Sequence, residues 1–124
     1  NKIIEMEIKK TGKLFSFCCA APLIMKKKDN KEIKFFENIG SDIGLLFQIA
    51  DDLIDFKGSS KIAGKKTGKD QKKGKATLIS LLGYMNAIKY CDKIILKTYK
   101  NLKKYGPNSK NIKETLDYIL NRDK

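Results

Sequence analysis

The stretch GLLFQIADDLIDF, residues 44–56, restricts what this chain can fold into more than any other. Its apolar residues recur at helical spacing, yet Asp51, Asp52 and Asp55 stand among them, with Gln48 just ahead. A carboxylate taken out of water carries a large free-energy penalty unless it neutralises or meets a positive partner. Each helical residue advances about 100°, so with Asp51 at zero, Asp55, Gln48 and Asp52 fall at about 40°, 60° and 100°. The four polar side chains therefore share one stripe. Leu46, Ile49, Ala50, Leu53, Ile54 and Phe56 spread over most of the remaining circumference. This pattern predicts a helix buried on nearly every side, with an acidic stripe facing something other than bulk protein.

Three carboxylates this close repel one another and need a cation nearby. Hard oxygen donors on a rigid helix, too few to complete a coordination shell, suit Mg²⁺, which retains water and finishes its octahedron with phosphate oxygens. The spacing fits neither a calcium-binding loop nor a zinc site. A plainer alternative is an acidic helix end paired with lysines of the segment that follows.

That segment, GSSKIAGKKTGKDQKKGK at 58–75, holds four glycines and seven lysines and is expected to be a mobile basic loop. Long loops that join elements of one compact body are more often binding loops or lids than linkers. Lys65 and Lys75 each follow a glycine, Gly64 and Gly74, so their ammonium groups can approach an anion closely. Metal and ammonium groups around one cavity suit a diphosphate. Lys10-Thr11-Gly12, taken alone, reads as surface.

The net charge of +13 invites a nucleic-acid reading, but of the 27 basic residues only Arg122 is arginine. Base readout and bidentate phosphate recognition favour the arginine fork, so the scattered lysines read as a solvated surface. With no histidine, a Cys/His zinc site and a Ser-His triad are excluded. Cys18, Cys19 and Cys91 show no metal-ligand spacing, and their odd number, without a secretory pattern, points to reduced thiols in the cytoplasm. No apolar run reaches the roughly 18–20 residues of a membrane helix, so no membrane insertion is expected.

The whole chain, 1–124, reads as one all-α segment. A helix occupies the opening NKIIEMEIKKTGKLFSFCCAAPLIMKKK, interrupted near Pro22. No cap residue introduces it, which suggests that the chain starts inside an element. After a KKKDN turn, one long helix is expected over 31–57. Gly40 and Gly44, one turn apart, thin one side of it for a neighbouring helix. Beyond the basic loop come a short helix and a long amphipathic one, ended by Gly106-Pro107, and then a final helix.

FQIADDLIDF followed by GKKTGKDQKKGKATL resembles the second aspartate-rich region of the trans-isoprenyl diphosphate synthases of the farnesyl and geranylgeranyl type. KTGKLFSF is similar to that family's K-T-G-x-L-F block, and the terminal DYILNRDK to the end of bacterial farnesyl diphosphate synthases. The resemblance implies the C-terminal half of an isoprenoid-synthase-type helical bundle with a central cavity. In it, Asp51, Asp52 and Asp55 would hold Mg²⁺, Lys65, Lys75 and Lys10 the allylic diphosphate, and Asp70 metal-bound water. Thr11 and Gln48 would line the reacting carbon. The implied reaction joins isopentenyl diphosphate to an allylic diphosphate, in a cytoplasmic enzyme whose full-length members are homodimers.

The family's first aspartate motif, and the basic residues that grip isopentenyl diphosphate, have no counterpart here. The expectation is therefore that this piece alone does not catalyse prenyl transfer. A silent regulatory subunit and a basic nucleic-acid-binding module are the competing readings.

Overall fold

The long acidic helix forms as expected and is the rod on which everything else rests. The computed structural model describes residues 2–62 and 77–121, and every element among them is helical. Helix α1 (Lys2–Glu7) leads through a π-helical turn (Ile8–Gly12) into α2 (Lys13–Met25) and then α3 (Asn30–Ile62). Helix α4 (Leu78–Leu82), α5 (Tyr84–Leu102), a tight 3₁₀ segment (Lys103–Ser109) and α6 (Lys110–Asn121) follow. Ile39, Ile43, Leu46, Ile49 and Leu53 of α3 are buried, together with Ile94 and Leu102 of α5 and Leu116 and Ile119 of α6. Each such side chain contributes about 1.5–3 kcal/mol when fully removed from water.

The glycines of α3 do what their spacing predicts. A Cβ on Gly44 would lie 2.6 Å from the Gly12 Cα, and one on Gly40 would overlap the Phe15 carbonyl oxygen and lie 2.6 Å from the Ser16 Cα. Helix α2 and the π-turn therefore lie directly against the α3 backbone, with no room there for any side chain.

Three boundaries differ from the sequence expectation. Pro22 does not interrupt the first helix, because it sits in the closing turn of α2, where the chain continues to Met25. There its carbonyl still accepts from the Lys26 N–H at 3.1 Å. The interruption falls instead at Ile8–Gly12, where a wide π-turn shifts the rotational register between α1 and α2. Helix α3 runs to Ile62 rather than stopping near 57, so the first residues of the expected loop are helical. Gly58 and the serines after it are weak helix formers by less than about 1 kcal/mol each, and extending an existing helix adds a hydrogen bond per residue. Finally, α5 ends at Leu102, ahead of Gly106-Pro107. The sharp bend still comes at Gly106, where φ is 52° and ψ is −132°.

Two helix ends are closed by specific chemistry. Lys27, after α2, adopts the left-handed conformation (φ 51°), with Lys28 N–H donating to the Leu23 carbonyl at 3.0 Å and Lys27 N–H to that of Ile24 at 2.9 Å. This is the Schellman closure, held here by a lysine where glycine is favoured. At the start of α4, Thr77 Oγ1 accepts from Ser80 N–H at 3.1 Å while Thr77 N–H donates to Ser80 Oγ at 3.1 Å.

Candidate active site

The rotation of α3 is fixed by what it buries. Leu46, Ile49, Ala50 and Leu53 are at most 8% exposed. This turns Asp51 and Asp55 outward to solvent and leaves Asp52 half-buried. The apolar wrap falls short at the end of the stretch, contrary to the sequence expectation. Ile54 is only half-buried and Phe56 is 39% exposed. Phe56 instead stacks on Tyr84, centroids 5.4 Å apart, tying the end of the acidic stripe to the start of α5.

Gln48, one turn ahead of Asp52, reaches across to the π-turn. Its Nε2 donates to Thr11 Oγ1 at 2.7 Å, in a half-buried position. Gly12, next to Thr11, is buried against α3. Thr11 and Gly12 are therefore not surface, as Lys10-Thr11-Gly12 reads in isolation. The close approach at Gly44 sets this part of the chain against the rod within one turn of Gln48. A π-turn of this kind is a recurrent device at functional sites, because it re-aims side chains without ending the helix. Phe15 and Phe47, 5.7 Å apart, form an apolar flank beside it.

Thr11, Gln48, Asp51, Asp52 and Asp55 thus fall along one stretch of α3 and the turn packed on it. The backbone of Lys10 belongs to that turn, while its side chain lies outside what the structure describes. Lys65, Asp70 and Lys75 also lie outside the described residues. A groove of about 570 Å³ opens near the start of α3, lined by residues including Asp29, Glu32, Phe35 and Lys104. It contains none of the candidate site residues. With about 1.5 Å of rise per residue, Phe35 and Asp51 are separated by more than 20 Å along the helix.

The three acids offer only carboxylate oxygens, the donor type that Mg²⁺ prefers, but among the described residues no group of three or more His, Cys, Asp or Glu side chains is gathered so that it could hold a metal ion. Among the described residues the stripe is therefore not a complete metal site. Thiol chemistry is not on offer in the core. Cys91 is fully buried, and its thiol is pushed up to about 12 by that burial, with the Asp92 charge adding to the effect.

Two supporting residues were not foreseen from the sequence as such. Thr77, the threonine of GKAT at 74–77, caps α4 at the start of that helix. The signal was present, since a Thr-x-x-Ser spacing just ahead of an apolar run is a short form of the capping box. Asp42, only 17% exposed, pairs with Lys97 at 2.7 Å and binds α3 to α5. Nothing in local sequence marks a pair 55 positions apart.

Residues 1–119 match a family model described as polyprenyl synthetase. The chain belongs to the polyprenyl synthetase family. Over its full 124 residues it is 33% identical to farnesyl diphosphate synthase of Micrococcus luteus, covering 43% of that protein. It is 32% identical over 100 residues to farnesyl diphosphate synthase of Escherichia coli, covering 33% of it. A crystal structure of an FPP/GFPP synthase from Zymomonas mobilis aligns with 94% of the chain at a TM-score of 0.77 and 32% identity, and 37% of that protein is covered. The chain thus spans less than half the length of these polyprenyl synthetase relatives, and the fold expected from the resemblance, an all-α isoprenoid-synthase arrangement, is the one observed.

Proposed function

We propose that this chain is the C-terminal part of a prenyl diphosphate synthase that joins isopentenyl diphosphate to an allylic diphosphate and lengthens the chain by five carbons. The observation that carries the proposal is the Gln48–Thr11 hydrogen bond. It brings a π-turn from the K-T-G-x-L-F block onto the same rod, and within a turn, of the aspartate stripe. Membership of the polyprenyl synthetase family supports the same reaction class.

In this reading Asp51, Asp52 and Asp55 hold Mg²⁺ against the allylic diphosphate. The ion, when bound, stabilises negative charge growing on the departing pyrophosphate. Lys65, Lys75 and Lys10 add ammonium charge to the same group. With Nε2 committed to Thr11, the oxygen end of the Gln48 amide is the end left to face positive charge developing on the allylic carbon. The buried Ile49, Ala50 and Leu53 beside the stripe offer an apolar wall, which the rest of the synthase would complete to exclude water that would quench a carbocation. The isopentenyl double bond attacks that carbon, and the departing pyrophosphate takes the proton released afterwards, so a chain without histidine lacks nothing here. The exposed apolar face of α2 supports a larger bundle around this part. A homodimer of the whole synthase belongs to the same reading, and a cytoplasmic setting fits the free thiols of Cys18, Cys19 and Cys91.

A chimera tests this directly. The chain replaces the matching 43% of the Micrococcus luteus enzyme, and condensation of isopentenyl with geranyl diphosphate is followed. Turnover is expected, and Asp51→Ala is expected to lower kcat by about a hundredfold or more, as for other losses of transition-state charge stabilisation. A chimera whose turnover ignores Asp51→Ala would contradict the proposal. The 124-residue chain alone is expected to show no turnover.

A further inference from the structure

The outward face of α5 carries a stripe that neither the fold nor the proposed chemistry uses. At about 100° per residue, Met85, Lys89, Leu96 and Lys100, with Lys103 just past the end of α5, fall within roughly 60° of arc, and Lys93 lies about 20° beyond. All six are exposed, Met85 by 64% and Leu96 by 67%. The α5 part of the stripe, Met85 to Lys100, spans about 22 Å, given the helical rise, along a helix whose opposite side buries Ala87, Cys91, Ile94, Thr98 and Leu102. Among the described residues, no ion pair engages Lys89, Lys93, Lys100 or Lys103. Asp92 is the one acid of α5 itself at the margin of the stripe, and Asp117 of α6 approaches the Tyr99 flank beyond it, so the four lysines still leave the stripe positive.

We propose that this face rests on an anionic bilayer surface, with the lysines meeting lipid phosphates and Leu96 and Met85 dipping into the headgroup boundary. Three features select this occupant. A second copy would bring two positive stripes together and be repelled. Nucleic acid is disfavoured by the chemistry of the stripe, since its cations are all lysine and its interleaved side chains are aliphatic, offering bases no ring to stack on. A planar negative surface matches a straight row of long ammonium arms, whose flexible stems spread over apolar matter while their heads reach phosphate. Adsorption of this kind needs no spanning helix, and none of the described helices is long and apolar enough to cross a membrane. The inference stands on the α5 face alone. If the reaction proposed above is also right, adsorption would release a greasy product where it partitions.

Vesicle flotation of the chain tests it, using phosphatidylcholine alone and phosphatidylcholine with roughly a third phosphatidylglycerol, whose negative surface attracts nearby lysines. Binding is expected only with the anionic vesicles and should weaken as salt shortens the screening length. Lys93→Glu with Lys100→Glu should reduce the partition coefficient by about tenfold or more, and Leu96→Ser by about threefold. Lys93→Gln with Lys100→Gln gives a milder second pair, and Phe17→Ser on the apolar face of α2 should leave anionic binding unchanged. Failure to bind anionic vesicles would overturn the proposal. So would equal binding to neutral vesicles, loss of binding with Phe17→Ser alone, or tighter salt-sensitive binding to duplex DNA that the same lysine changes abolish. None of these outcomes depends on catalysis.

Discussion

Helices α2 and α5 are both packed on α3, yet they present opposite faces to the outside. On α2, Leu14, Phe17 and Met25 are exposed by 64%, 63% and 84%, and Ile24 by 51%. On α5 the outward side is dominated by lysine, with Met85 and Leu96 among them, and most apolar side chains are gathered inward. A helix that is apolar all round belongs to an interior, whereas a segregated one lies at a surface. Helix α2 thus behaves as an inner helix of a larger body and α5 as an outer one. This accords with a chain that spans 43% of its Micrococcus luteus relative.

Substitutions can break or sharpen that contrast. The largest effect is expected on the inner face of α5, where Leu102→Ala should cost about 3 kcal/mol, because Leu102 is completely buried and its loss leaves a cavity. Urea denaturation measures this. Gly40→Ala should follow at about 2 kcal/mol, because the new Cβ meets the Phe15 and Ser16 backbone and α2 must move away from the rod. Thr77→Ala removes the cap between α3 and α5 and should cost about 1 kcal/mol in the same assay. Phe17→Ser on α2 should change stability by about 0.5 kcal/mol or less. Its effect should appear in sedimentation velocity as reduced self-association, since an exposed apolar face of this kind promotes contact between copies. A large stability loss from Phe17→Ser would show that α2 is already covered and remove the contrast.

Much of this was legible in residue order because it depends on periodicity and on short-range chemistry. The acid stripe, the glycine contact of α3 with α2, the short and long helices after the basic segment and the final helix all follow from spacing within one or two turns. What escaped was decided by context. Pro22 looked like a break, but its distance from the end of α2 depends on where Lys27 closes the helix. Gly58 looked like a loop opening, but propagation from a long buried helix carries the chain past it. Lys10-Thr11-Gly12 looked like surface, because only the fold shows that Gly12 abuts Gly44 and that Thr11 meets Gln48. By its period Phe56 is expected in the core, yet it is 39% exposed and stacks on Tyr84 instead.

The central claim is that the stripe of Asp51, Asp52 and Asp55 gathers Mg²⁺ and a diphosphate onto α3. Differential scanning fluorimetry of the chain with inorganic pyrophosphate, with and without Mg²⁺, measures this without requiring turnover. A ligand at a hundred times its dissociation constant stabilises by about 2.7 kcal/mol, so Tm should rise by several degrees only when both are present. Asp51→Ala and Asp55→Ala should each remove the Mg²⁺-dependent part of the rise. An equal rise without Mg²⁺, or one that survives both substitutions, would contradict the account.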